Sequence, residues 1–120
     1  MTTQEIANRL VELCRKGEYE TCYQELYNPA IVSTENDGSS VTGFDGIAKK
    51  GKEWNDSIEE FLGSSVGEPI VAGNFFSLPM SMNVKFKGAP AAVNFEEICV
   101  YEVKGGKVIK EQFFYDDPGA

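Results

Sequence analysis

Phe76-Ser77-Leu78-Pro79-Met80-Ser81-Met82-Asn83-Val84-Lys85-Phe86 alternates along its length. Phe76, Leu78, Met80, Met82, Val84 and Phe86 share one face, while Ser77, Ser81, Asn83, Lys85 and the following Lys87 take the other. A period of two marks a half-buried β-strand, because successive side chains point to opposite faces of a sheet. Pro79 interrupts the run and indicates an edge or a bulge, since proline has no N–H for a ladder.

Toward the C-terminus the extended pattern continues. Gly88-Ala89-Pro90 is a turn, Ala92 to Val103 a second long strand, Gly105-Gly106 a tight turn, and Val108 to Asp116 the last strand. Ile70 to Ala72 begins a shorter fourth strand, and Asp117-Pro118-Gly119-Ala120 is a tail. Nothing from Ser64 onward has helical periodicity. The second half therefore reads as an antiparallel meander.

The first half is helical. Thr2 and Glu5 have capping-box spacing, in which side chains satisfy orphaned backbone N–H groups. Ile6, Leu10 and Leu13 recur at helical spacing, with Val11 and Cys14 beside them, and Gly17 is a natural stop. A second helix over Glu18 to Leu26 carries the stripe Tyr19, Cys22, Tyr23, Leu26, and Asn28-Pro29 ends it. A short strand from Ile31 to Glu35 meets the turn Asn36-Asp37-Gly38, and Ser40 to Phe44 pairs back. Asp45 then caps a third helix from Gly46 to Leu62, with Ile47, Trp54, Ile58 and Phe61 as its apolar positions and Gly63 as its C-cap.

Length and composition bound the rest. A chain of 120 residues, with 42% apolar and 25% charged residues, has enough material for one globular domain spanning 1–120. Its net charge of -8 disfavours nucleic acid and anionic membranes, which bind through basic patches. Cys14, Cys22 and Cys99 form no C-x-x-C pair, which fits a reducing compartment. Histidine is absent, which excludes His-ligated zinc and Ser-His-Asp or Cys-His catalysis. The start of the chain lacks the pattern of a signal peptide and no apolar run is long enough for a membrane span, so a cytoplasmic location is expected.

This order of elements resembles the nuclear transport factor 2-like superfamily, which includes ketosteroid isomerase and SnoaL-like polyketide cyclases. Its best local matches are Gly17-Glu18, the stretch from Tyr27-Asn28-Pro29-Ala30 to Gly43, and Gly106-Lys107-Val108 before the last strand. The resemblance covers nearly the whole chain. It implies an α+β, cystatin-like cone: three N-terminal helices packed on a curved antiparallel sheet, with an internal pocket. It also places the isomerase's general base at Thr34, its oxyanion-hole tyrosine at about Leu10 and its protonated aspartate at Cys99. None of these residue types can do those jobs, so ketosteroid isomerase chemistry is not expected. The absence of histidine removes the histidine-dependent part of cyclase chemistry.

In a cone, the face carrying Cys99 looks inward. Alternation then brings Phe95, Glu97 and Tyr101 inward, together with Glu111, Phe113 and Tyr115 on the last strand. Tyr23, Thr34, Trp54, Met80 and Met82 are candidates for the remaining walls. A slip of one residue would reverse every assignment. Glu97, between Phe95 and Cys99, is a candidate acid or base because apolar surroundings raise a carboxyl's pKa, and Glu111 is a candidate partner. The alternative is an outward Glu97, or one hydrogen-bonded to a tyrosine. The aromatic side chains fit either a pocket or plain core. Cys99 has no basic neighbour in the sequence and reads as structural. Lys49, Lys50 and Lys52 read as a solvated helix face, and Glu35-Asn36-Asp37-Gly38 as a turn. No metal motif and no cofactor is indicated.

Two functions follow as expectations. One is a protein that binds a small, mostly apolar molecule in the cone, with catalysis open. The other is a non-catalytic, homodimeric interaction module joined through the outer sheet face at Ile98, Val100 and Phe114.

Overall fold

The computed structural model describes residues 1–116, so the expected tail lies outside the described residues. Ten elements follow one another: α1 (Thr3–Arg15), α2 (Tyr19–Leu26), β1 (Tyr27–Thr34), β2 (Ser40–Thr42), α3 (Gly43–Ser57), β3 (Ile58–Val66), β4 (Ile70–Ala72), β5 (Phe75–Phe86), β6 (Val93–Lys104) and β7 (Lys107–Tyr115). The fold is α+β, with three helices on an open, curled sheet. The seven strands run in the order β2-β1-β7-β6-β5-β3, with β4 on β5. Every pairing is antiparallel except β1 with β7. No helix among the described residues is long and apolar enough to cross a membrane.

Local chemistry explains the first helix. Thr2 Oγ1 accepts from the Glu5 N–H at 3.1 Å, and Glu5 Oε1 accepts from the Thr2 N–H at 2.9 Å. The capping box thus satisfies two donors that a helix start otherwise leaves orphaned. Gly17 takes φ +71°, which an L side chain resists, and turns the chain into α2. The buried stripe of α1, from Ile6 to Cys14, packs with Cys22 and Leu26 of α2 against Ile31, Phe76, Leu78, Cys99, Tyr101, Val103 and Val108 of the sheet.

Three boundaries move by three residues or more from the sequence expectation. Strand β1 starts at Tyr27, four residues before the expected Ile31, because Asn28-Pro29 sits in a register break of the β1–β7 pairing, where no N–H is required of proline. Helix α3 starts at Gly43, with Thr42 rather than Asp45 in the cap position, and it ends at Ser57 instead of Leu62. The segment expected as its last turns is strand β3, paired with β5 from Ile58↔Phe86 to Val66↔Met80. The spacing of Ile58 and Phe61 imitates a helical stripe. Register shifts in the β3–β5 ladder explain why plain alternation is missing.

The meander keeps the predicted faces. Strand β5 buries Phe76, Leu78 and Val84, and β6 buries Phe95, Cys99, Tyr101 and Val103. Consecutive Glu102 and Val103 pair with Lys110 and Val108, so Ile109 is the extra residue of a β7 bulge that lets Val108 and Glu111, three residues apart, both face inward. Leu78 is fully buried opposite Cys99. Leu78→Ala should therefore cost about 3 kcal/mol in urea unfolding, the usual loss for a leucine that leaves a cavity. A loss below about 1 kcal/mol would show that this strand does not carry the core.

Candidate functional site

The inner face of the sheet carries a polar network within the apolar core. Glu111, 4% exposed on β7, is its centre. Tyr27 Oη donates to Glu111 Oε2, and Ser33 Oγ donates to Oε1 at 2.9 Å. Ser33 has one proton and gives it to Glu111, so it is free to accept from Lys50 Nζ at 2.7 Å. Lys50 also pairs with Glu35 at 2.5 Å and lies 4.2 Å from the centre of the Phe113 ring. Tyr115 Oη donates to the other oxygen of Glu35 at 3.2 Å. Burial pushes the Glu111 carboxyl above its ordinary range, against the two hydroxyl donors and Lys50, which lower it. Burial likewise raises Tyr27 well above the usual phenol range, which keeps its proton on the donor side of this hydrogen bond.

Glu97 lies on the same face, opposite Met80 of β5 and Tyr115 of β7. Its nearest polar partner is the Cys99 thiol, 3.6 Å from Oε1, and that thiol also lies 3.4 Å from Met80 Sδ. Among the described residues no lysine or arginine forms an ion pair with Glu97. Burial is the main reason that its pKa is pushed up to about 7; the thiol and Lys50 act the other way, and Glu35 and Glu111 add to the rise. Burial also raises the Cys99 thiol, which remains protonated and is no nucleophile.

The aromatic candidates divide between two regions. Trp54 packs on Phe86 and Phe95, with ring centres 5.5 and 5.3 Å apart, and Phe95 packs on Tyr115 at 4.8 Å. This row lies beside Glu97. Tyr101 instead stacks on Phe76 at 4.7 Å within the main core, and Tyr23 packs on Tyr27 at 5.1 Å. Met82 is half-buried, opposite Phe95. Thr34 takes the opposite face from Ser33, and its hydroxyl shares a hydrogen bond of 2.8 Å with Ser40. Alternation makes Ser33, one residue earlier, the inward position.

Lys50, Ser33, Tyr27 and Glu35 are absent from the sequence-derived site. Lys50 is the main correction: it enters the network instead of lying on a solvated face, whereas Lys49 and Lys52 are exposed. The signal was present, because Lys50 stands three residues after Ile47 and four before Trp54, on the stripe that α3 turns inward.

Two depressions open near this network. The larger, of about 780 Å³, is broad and open, and includes Met80, Glu97, Tyr115, Pro79, Ile98 and Phe114 in its lining. The smaller, of about 180 Å³, lies between the β1–β2 hairpin and α3, beside Ser33, Glu35 and Lys50. Of the expected pocket residues, only Met80, Glu97 and Tyr115 line the larger space. No group of three or more Cys, Asp or Glu side chains among the described residues is arranged to hold a metal ion.

The sequence model of the SnoaL-like domain matches residues 1–115. The chain belongs to the SnoaL-like domain family. A solved Mesorhizobium loti protein bearing the name SnoaL-like polyketide cyclase is 30% identical, with TM-score 0.87 over 96% of this chain and 100% of its own. An NTF2-like protein from Burkholderia thailandensis superposes with TM-score 0.82 at 14% identity, over 97% of this chain and 92% of its own. A Jannaschia sp. CCS1 protein bearing the name SnoaL-like polyketide cyclase gives 0.77 at 16% identity, over 95% and 85%. These last two show the fold alone. No curated protein matches the chain significantly.

In this SnoaL-like domain the two inner carboxyls have different capacities. Glu111 is saturated with donors and sealed. Glu97 is half-buried, forms no ion pair among the described residues and is pushed up to about 7, so it can take or give a proton near physiological pH. Its pKa in the folded chain lies above the ordinary 4.5. The native state therefore holds a proton that the unfolded chain has released, and the associated stability is full below about pH 4.5 and lost as pH rises through about 7. Unfolding of the parent and of Glu97→Gln should diverge across that window, the variant gaining on the order of 2 kcal/mol between pH 5 and pH 8. Parallel stability curves would show a solvated, ordinary carboxyl.

Proposed function

We propose that this SnoaL-like domain binds a small molecule with a largely apolar body in the depression beside Glu97, and that Glu97 is its proton-exchanging group. The observation that carries this reading is a half-buried carboxyl on the inner face of the sheet, between Met80 and Tyr115, that forms no ion pair among the described residues. A carboxyl partly shielded from water and without an ion-pair partner costs stability, and such a cost is usually retained where a protein uses the group. Pro79, Met80, Ile98 and Phe114 supply the apolar lining of the depression. Ketosteroid isomerase chemistry is not part of the proposal, because Leu10 is buried without a donor and Cys99 offers only a thiol. The name of the Mesorhizobium loti relative supports an organic substrate of modest size. The smaller polar depression is a weaker candidate, since Lys50 and Glu35 neutralise each other there.

A fragment library screened by two-dimensional NMR tests this reading. Binders should shift the signals of Met80, Glu97 and Tyr115 together, and the Glu97 side chain should titrate near pH 7. No clustered shifts with any fragment, or titration near 4.5, would refute it.

A second reading rests on the outer face. Ile98 and Phe114 stand opposite each other on β6 and β7, 52% and 45% exposed. A contiguous apolar pair of this kind favours a symmetric homodimer through the sheet. A second chain seated there would add a wall to the depression that both residues line, so the readings are compatible. Light scattering at micromolar concentration should give twice the chain mass, and Phe114→Glu should halve it. A monomer mass for the parent at every concentration would remove the dimer.

A further inference from the structure

Cys14 and Cys22 stand apart from the polar network and meet where α2 packs on α1. Cys14 belongs to the buried stripe of α1, and Cys22 and Leu26 are the buried residues of α2. Two sets of contacts hold the hairpin around them. At the turn, the Glu18 N–H donates to the Leu13 carbonyl at 2.9 Å, and the Gly17 N–H donates to the Cys14 carbonyl at 3.0 Å. Farther from the turn, the Arg9 guanidinium donates to both carboxylate oxygens of Glu25, at 2.6 and 3.1 Å. Cys14 and Cys22 lie between the turn and this clamp. The two helices therefore run side by side, with both thiols in one buried cluster, 6% and 1% exposed.

Each thiol is the strongest influence on the other. A hydrogen bond from Cys22 lowers Cys14 below the ordinary thiol range, against burial and Glu111. The same contact, together with burial, pushes Cys22 up. Such a pair has one sulfur prepared to act as a nucleophile and a second that holds its proton until it is needed. Cys14 is also the more exposed of the two, so a small oxidant reaches it first. Cys99 is turned elsewhere, 3.4 Å from Met80 Sδ and 3.6 Å from Glu97 Oε1. Helix α2 has only eight residues, and Glu18 gives it no side-chain cap, so it can shift toward α1 to close a bond.

We propose that Cys14 and Cys22 form a redox-modification site, a dithiol that hydrogen peroxide converts to an intramolecular disulfide joining α1 to α2. The Cys14 thiolate attacks one peroxide oxygen, the O–O bond breaks, and the departing hydroxide takes the thiol's proton and leaves as water. The Cys22 sulfur then attacks the Cys14 sulfenic acid, the S–S bond forms, and a second water is released. The two sulfurs lose two electrons and the peroxide gains them. A dithiol reductant reverses the step. Tyr23, next to Cys22, packs on Tyr27, the donor to Glu111, so the bond braces the hairpin behind the buried network.

The folded chain, at low concentration, is exposed to hydrogen peroxide, its remaining thiols are alkylated, and it is digested with trypsin without reduction. The intact mass should fall by about 2 Da. Of the three free thiols, one should remain. The digest should contain peptide 10–15, which carries Cys14, linked to peptide 17–49, which carries Cys22. Dithiothreitol should separate them. Cys99→Ser should oxidise as the parent does. Cys22→Ser should lose the link and accumulate sulfenic or sulfinic acid at Cys14. If Cys22→Ser does not fold, the peptide map of the parent decides alone. A link to Cys99, a disulfide-joined dimer, or oxygen added to Cys14 in the parent with no link would each refute the site. So would three unreacted thiols under conditions that oxidise the urea-unfolded chain.

Discussion

Glu111 is a carboxyl set almost beyond the reach of water, and the arrangement around it follows from the need to supply donors. A buried carboxylate without partners would be costly enough to unfold a small domain. Tyr27 and Ser33 meet that need, and both come from β1. They can reach Glu111 only because β1 pairs with β7 in parallel, the one departure from an antiparallel sheet. The β7 bulge turns Glu111 inward at a point where simple alternation from Val108 would have turned it out. Strand order, bulge and hydrogen bonds thus depend on one another.

Lys50 extends this constraint to the third helix. Its ammonium is shared between Ser33 and Glu35 and rests on Phe113, which docks α3 against the inner face of the sheet. Trp54, one helical turn further on, packs on Phe86 and Phe95. The network therefore settles where the helix lies and where the aromatic row ends. Glu97 stands at the limit of this order. It is close enough to the interior to feel its low polarity, yet it has no strong donor of its own. The contrast between a satisfied and an unsatisfied carboxyl on one sheet face separates structure from chemistry here.

Much of this was legible in single residues. The capping box at Thr2 and Glu5, the positive-φ glycine at Gly17 and the alternation from Phe76 to Phe86 are local features, and local sterics and hydrogen bonding fix them. The inward face Phe95, Glu97, Cys99 and Tyr101 follows from the same alternation. Thr34 marks where counting fails: the position aligned by spacing points away, and Ser33 points in. Lys50 was hidden for a different reason. Lysines in a row of charged residues look solvated unless the stripe of Ile47 and Trp54 is given more weight than composition.

What the sequence determined by itself, then, is the succession of helices and the faces of the long strands, because these depend on neighbours a few residues apart. It also excluded histidine chemistry outright, since no fold can supply a missing side chain. Tertiary structure alone decided that Ile58–Val66 is a strand, because its hydrogen bonds belong to β5 some twenty residues away. It alone joined Tyr27, Ser33 and Lys50 to Glu111, and left Glu97 without an ion pair among the described residues. Those relations are made by strand order and register, and no window of the chain contains both partners.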